Sequence, residues 1–224
     1  MQKTILVTGV NGNLGYAVAK KFQDEGCKTY GTARHPIDLA QVITASVDLT
    51  DELAVQEYID QILVQSPDLN AAMLTVGAFE GGDLHATGQS SLRKMYALNF
   101  ETAYFVVRAL LAHFEKIGGG HFVLIGSRAA FDATAAMNNI AYGLSKTALA
   151  ALADIINAYG KDKNIQCSVV VPSTIDTPPN RAAMPEADFD KWTSPEAIAD
   201  AIYFLFTESG KHLRETVLKM YNEA

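Results

Sequence analysis

Thr4-Ile5-Leu6-Val7-Thr8-Gly9-Val10-Asn11-Gly12-Asn13-Leu14-Gly15 is the stretch that decides the fold. A short apolar run, rich in β-branched residues, reads as a buried strand. It stops at Gly9 and is followed by a helical pattern from Asn13 to Glu25. Between them the glycines fall as G-x-x-G-x-x-G. Glycine there permits a tight turn and a close backbone approach by a pyrophosphate, and the helix start offers free N–H groups and a positive dipole end. No Gly-Lys-Ser/Thr follows, so this is not the loop of the P-loop nucleotidases. Gly9, Asn11, Gly12, Asn13, Leu14 and Gly15 are therefore candidates to bind the phosphates of a nucleotide. The competing reading is a plain strand–helix turn.

Working outward, the chain alternates. Strand-like runs occur at Cys27–Thr32, Ala45–Val47, Leu69–Val76, His121–Ile125, Gln166–Val171 and Thr216–Met220. Helical patterns occupy the gaps: one capped by Asp51 and running to Gln65, then Ser90–Ile117, Ala141–Tyr159 and Pro195–Phe206. Short buried strands alternating with helices predict an α/β doubly wound fold. It is a single domain with about seven parallel strands and helices on both faces. The stretch 173–194 holds several prolines and no period, too long for an ordinary connection, and reads as a lid.

The composition is globular: 49% of the 224 residues are hydrophobic and 19% charged. Lysine and arginine total 18 against 25 acids, a net charge of −7. Such a chain has no global basic field, which argues against nucleic acid and anionic membranes as partners. No apolar run is long enough to span a bilayer. The first run is too short for a signal-peptide core, which with the other features predicts a cytoplasmic protein. Cys27 and Cys167 make no disulfide framework and read as reduced core residues. No Cys/His spacing suggests a metal.

The end of the second strand-like run tells what is done with a ribose. An acid there would bond the 2′-hydroxyl of NAD, but this chain has Gly31-Thr32-Ala33-Arg34-His35. Arg34 is suited to a 2′-phosphate, which points to NADP, with NAD as the second option. Asp48 is placed either to meet the adenine amino group or to make a turn. Tyr142 and Lys146 lie four apart, on one face of a helix. An ammonium beside the phenol would lower its pKa and suit it to acid–base work on a carbonyl. The spacing also occurs at Tyr16/Lys20 and Tyr159/Lys163. Only Tyr142 starts a helix after an interior strand, near the carboxyl ends where doubly wound sheets bind ligands.

Thr8–Gly15, Asn99, Ser127, Tyr142/Lys146 and Pro172–Thr177 stand in the order found in short-chain dehydrogenases/reductases, and the chain resembles that family along nearly its whole length. The resemblance implies hydride transfer between NAD(P)H and a carbonyl or related group. It gives Tyr142 the proton, has Lys146 hold the nicotinamide ribose, has Ser127 orient the substrate oxygen, and has Asn99 support the lysine through water. Gly77 lies in the cofactor-side loop, and Pro172, Ile175 and Thr177 in the loop that contacts the nicotinamide amide. Three features depart from the family pattern. These are the glycine spacing, Thr75-Val76-Gly77-Ala78 in place of Asn-Asn-Ala-Gly, and Ser127 lying fifteen residues before Tyr142.

Asp176-Thr177-Pro178-Pro179-Asn180-Arg181, Met184-Pro185-Glu186, Trp192 and Gly77-Ala78-Phe79-Glu80-Gly81-Gly82 are similar to the loops of the dihydropteridine reductase-like members. An aromatic at Phe79 could stack on a flat heterocycle. Met184 and Trp192, with Phe189, read either as the apolar face of a lid over the substrate or as anchors of the loop. The family and the apolar excess of the long helices imply a homodimer or homotetramer. The expected function is NAD(P)H-dependent reduction of a small carbonyl compound. The alternatives are a dihydropteridine reductase proper and a non-catalytic NADP(H)-binding sensor or scaffold.

Overall fold

The structure, a computed structural model, describes residues 3–35 and 39–223. In chain order the main elements are β1 (Thr4–Thr8), α1 (Asn13–Asp24), β2 (Lys28–Ala33), β3 (Val42–Ser46), α2 (Glu52–Gln65) and β4 (Leu69–Leu74). Then come α3 (Gln89–Tyr96), a π turn (Ala97–Glu101), α4 (Thr102–Ile117), β5 (Gly120–Ile125), α5 (Ala133–Ala136) and α6 (Ile140–Gly160). β6 (Ile165–Pro172), α7 (Pro178–Ala183), α8 (Pro195–Phe204) and β7 (Val217–Met220) complete it. The strands form one sheet in the order β3-β2-β1-β4-β5-β6-β7. Every pairing is parallel. The order reverses direction between β1 and β4, and ligands of doubly wound sheets bind outside the carboxyl ends at such a point.

Side-chain alternation along the strands builds two cores. Ile5 and Val7, Val123 and Ile125, and Val170 face one way, onto Val18, Phe22, Ile198 and Ile202 of α1 and α8. Leu6, Phe122, Leu124, Val169 and Val171 face the other way, onto Ile59, Val106, Leu110, Leu149 and Ile156 of α2, α4 and α6. A strand buried on both faces cannot show a polar alternation, which is why these runs read as continuously apolar.

Three boundaries differ from the sequence reading. β3 starts at Val42 rather than Ala45 and ends at Ser46. It is an edge strand with exposed residues on both sides, so its apolar signal is weak. The expected helix 90–117 is two helices joined by the π turn at Ala97–Glu101. The stretch 173–194 is partly ordered by α7, with Pro178 and Pro179 in its first turn and the Thr177 hydroxyl as its cap.

Candidate active site

The glycine loop runs from β1 into α1. Gly9 adopts φ +70°, and its carbonyl accepts a bond from the Gly12 N–H at 2.9 Å. A Cβ on Gly15 would lie 2.2 Å from that same carbonyl oxygen, so α1 packs onto the loop closely enough to admit no side chain. The start of α1 has no side-chain cap and no acid in its first turn. By contrast, Asp51, Thr177 and Ser194 cap α2, α7 and α8. Its free N–H groups are therefore disposed to an anion. Gly9, Asn11, Gly12, Arg34, Asp48 and Gly77 line one cleft of about 610 Å³ at the carboxyl ends of the strands. Asn13 lies on the neighbouring groove with Asp176 and Pro178, and Leu14 and Gly15 are buried beneath. A cleft of this size, with a glycine cradle at one wall, fits a dinucleotide.

Arg34 stands exposed at the end of β2, its carbonyl accepting from the Ser46 hydroxyl at 3.1 Å. Asp48 makes the turn: its Oδ1 accepts from both the backbone N–H and the hydroxyl of Thr50, and these bonds hold its carboxyl below the ordinary value. Sequence reasoning missed Thr32, Leu49, Val76, Leu98 and Thr102, which also line the cleft. They are ordinary strand-end and helix residues, and only the fold gathers them.

Tyr142 opens α6, and its phenol is hydrogen-bonded by Ser127, which follows β5. The fourteen intervening positions do not separate the two, because a 3₁₀ turn (Arg128–Ala130) and the short α5 take up the slack. Lys146 is buried, and its Nζ donates to the Ile125 carbonyl at 2.8 Å, 6.0 Å from the centre of the Tyr142 ring. Burial pulls the lysine down to about 8. The expected lowering of the tyrosine is not what the structure has. Burial pushes the Tyr142 phenol above its ordinary value, opposed only by the Ser127 bond. The reason is geometric: the ammonium is held by a strand carbonyl rather than by the phenol, so desolvation prevails.

Asn99 is fully buried in the π turn. Its Oδ1 accepts from the Ala78 N–H at 2.7 Å, and its Nδ2 donates to the Ala78 carbonyl and the Ser145 hydroxyl. The Ser145 hydroxyl in turn donates to the Tyr142 carbonyl at 2.7 Å. Asn99 thus ties the loop after β4 to the helix that carries Tyr142, and Ser145 is a positioning partner that the sequence reading did not include. Its only signal is a place three residues after Tyr142. Gly77 is pressed into this knot, since a Cβ there would lie 2.8 Å from Asn99 Oδ1 and 3.2 Å from Lys146 Nζ.

Phe79 meets Tyr142 edge to face, ring centres 5.1 Å apart, and is 67% exposed. Pro172 ends β6. Ile175 bridges Thr193, and Thr177 is largely taken up by capping α7. Of the two lid candidates, Met184 is part-exposed, whereas Trp192 is buried against Phe189 at 4.9 Å, its carbonyl accepting from Asn222. Trp192 is therefore an anchor of the segment. No described contact joins Met184 or Trp192 to Tyr142. Cys167 is buried and Cys27 half-buried, both free. Among the described residues no group of His, Cys, Asp and Glu is placed to hold a metal, and no helix is long and apolar enough to cross a membrane.

A phenol, an ammonium and a hydroxyl thus gather near the glycine-loop cleft. Comparison with known proteins gives the class. The family model described as short chain dehydrogenase matches residues 3–188, and the chain belongs to that family. A dihydropteridine reductase of Dictyostelium discoideum is 29% identical over 93% of this chain and 90% of its own length. The 2,3-dihydro-2,3-dihydroxybenzoate dehydrogenase of Escherichia coli is 25% identical over 94% and 92%. Among solved structures, ElxO with NADP bound superposes with a TM-score of 0.89 at 24% identity, covering 98% of this chain and 97% of the other. At that identity the likeness concerns the fold.

Proposed function

We propose that this chain is an NADPH-dependent reductase of a small carbonyl compound, with Tyr142 as the proton donor. The observation that carries this reading is the Tyr142 phenol bonded to Ser127, with buried Lys146 packed against Gly77 of the glycine-loop cleft. The nicotinamide, when bound, supplies the hydride. The chain's own residues do the rest. The α1 N-terminus and the glycine loop hold the pyrophosphate, and Arg34 pairs the 2′-phosphate. Lys146 holds the ribose. Ser127 orients the carbonyl oxygen, and the Tyr142 hydroxyl gives that oxygen its proton. Burial keeps the phenol protonated until the oxygen needs it, which suits a donor. Asn99 and Ser145 position the helix and the loop. The 173–194 segment acts as a lid, with Met184 on its exposed side.

Phe79 supports a narrower reading. An exposed aromatic edge-on to the proton donor suits a flat conjugated substrate, and a relative in the family is a dihydropteridine reductase. Arg34, where an acid would suit NAD, keeps the general carbonyl reading in front.

The test follows nicotinamide absorbance with NADPH and NADH against a quinonoid dihydropteridine and a panel of aldehydes, ketones and quinones. Turnover with a panel member should fall by about 10²–10⁴ in Tyr142→Phe, while NADPH binding is kept. Undiminished turnover in that variant ends the proposed mechanism. Turnover with the pteridine alone selects the narrower reading. Binding of NADPH with no turnover of any compound favours a sensor.

A further inference from the structure

A second cleft, of about 600 Å³, opens at the opposite end of the sheet, where β1, β5 and β6 begin. It is separated from the nucleotide cleft by the strand length, roughly 17–20 Å. Lys3, Lys211 and Arg214 line it, with Glu208 as its single carboxylate. That is an excess of cations in a chain of net charge −7. Glu208 pairs with Lys211. Lys3 donates to the Phe206 carbonyl, and Arg214 to Asn164 Oδ1 at 2.6 Å and Gln166 Oε1 at 3.1 Å, all neutral acceptors.

These charges act on one another. Lys3 is lowered first by burial; Cys27 and Glu208 raise it in part, and Lys211 lowers it again. Arg214 and Lys3 add to the burial that brings His121 to about 3, so the imidazole on the floor of the cleft is neutral. Its ring nitrogens are taken up by Ser168 Oγ and Gln166. An ammonium has three donors and a guanidinium five, so Lys3 and Arg214 both keep N–H groups beyond those described. Crowded cations with spare donors are relieved by an anion, and a guanidinium fork matches phosphoryl oxygens. Phe206 and Leu205 add apolar wall beside the charges.

We propose that this cleft binds a phosphoryl-bearing small molecule, its phosphoryl group held by Lys3, Lys211 and Arg214. The site is distinct from the cofactor's and needs no part of the catalytic machinery. The test is calorimetric titration of the full chain in low-salt buffer with glycerol 1-phosphate, with inorganic phosphate, and with sodium chloride at matched ionic strength. Saturable binding of one equivalent is expected. It should weaken by about tenfold or more in Arg214→Gln and in Lys211→Gln, the loss of a charge-assisted bond. It should be unchanged in Arg34→Ala, whose phosphate site is the cofactor's. Both weakened side chains are exposed, and circular dichroism reports their folding. Tighter binding of the ester assigns an organic phosphate, and equal binding assigns free phosphate. Absence of saturable binding, binding matched by sodium chloride, or binding lost in Arg34→Ala and kept in Arg214→Gln would overturn the proposal.

Discussion

Lys146 carries the residue-level argument about pH. Its ammonium is fully buried, and burial alone brings it to about 8. Its charged form therefore prevails below that value and is lost as pH rises through it. If the charge holds a ribose, NADPH affinity should be steady from pH 6 to 7 and fall above about 8. In Lys146→Arg the fall should vanish, because a guanidinium keeps its proton. Fluorescence titration of NADPH across pH reads this without requiring turnover. The linkage to folding has its own sign. The folded lysine binds fewer protons than the unfolded one between about 8 and its ordinary value, so its destabilising effect is complete below 8 and fades above it. At Arg34 the expectation is a split: Arg34→Ala should weaken NADPH by about tenfold or more and leave NADH nearly unchanged, measured by binding. Equal losses would remove the 2′-phosphate role. Of the three Tyr/Lys pairs, only Tyr142/Lys146 opens a helix with its lysine buried. Tyr16 and Tyr159 are exposed, and Lys20 and Lys163 serve Asp24 and the Tyr159 ring. The direction of the Tyr142 shift could not be read, since it depends on which atom holds the lysine.

α1 and the π turn show what elements add. Gly15→Ala should do more than a surface change, because the new Cβ meets a backbone oxygen that no rotamer can avoid. An overpacking cost of about 1–3 kcal/mol corresponds to several degrees of melting temperature at this length, and the reshaped loop should lose NADPH affinity as well. Scanning calorimetry with and without NADPH tests both. The helical period from 90 to 117 was legible, yet its interruption was not. A π turn inserts one residue, and Asn99 thereby turns inward to bond Ala78 and Ser145. Nothing in an apolar period marks where a helix will be wound loosely to satisfy buried polar groups. In the 173–194 segment α7 is too short to show a period, and its sequence marks are the cap at Thr177 and the prolines that follow it.

Across the whole molecule, an apolar strip remains uncovered on the outer side of α3, α4 and α6. Tyr96, Phe100 and Tyr104 stack in succession, with Leu92 and Leu144 exposed beside them. A homodimer or homotetramer through this strip is the expected state, and Tyr104→Asp should lower the sedimenting mass while circular dichroism stays unchanged. The sequence by itself determined the alternation of buried strands and helices, the single doubly wound sheet, the glycine loop and the place of Tyr142 at the start of a helix. Those are local or periodic features, and backbone sterics and burial write them directly into residue order. Only the tertiary structure decided that Asn99 knots the β4 loop to α6, that Trp192 is an anchor, that burial outweighs the Ser127 bond at the Tyr142 phenol, and that cations from both ends of the chain share a cleft. Each of these depends on distances between residues far apart in sequence, and such distances exist only once the sheet has closed its two cores.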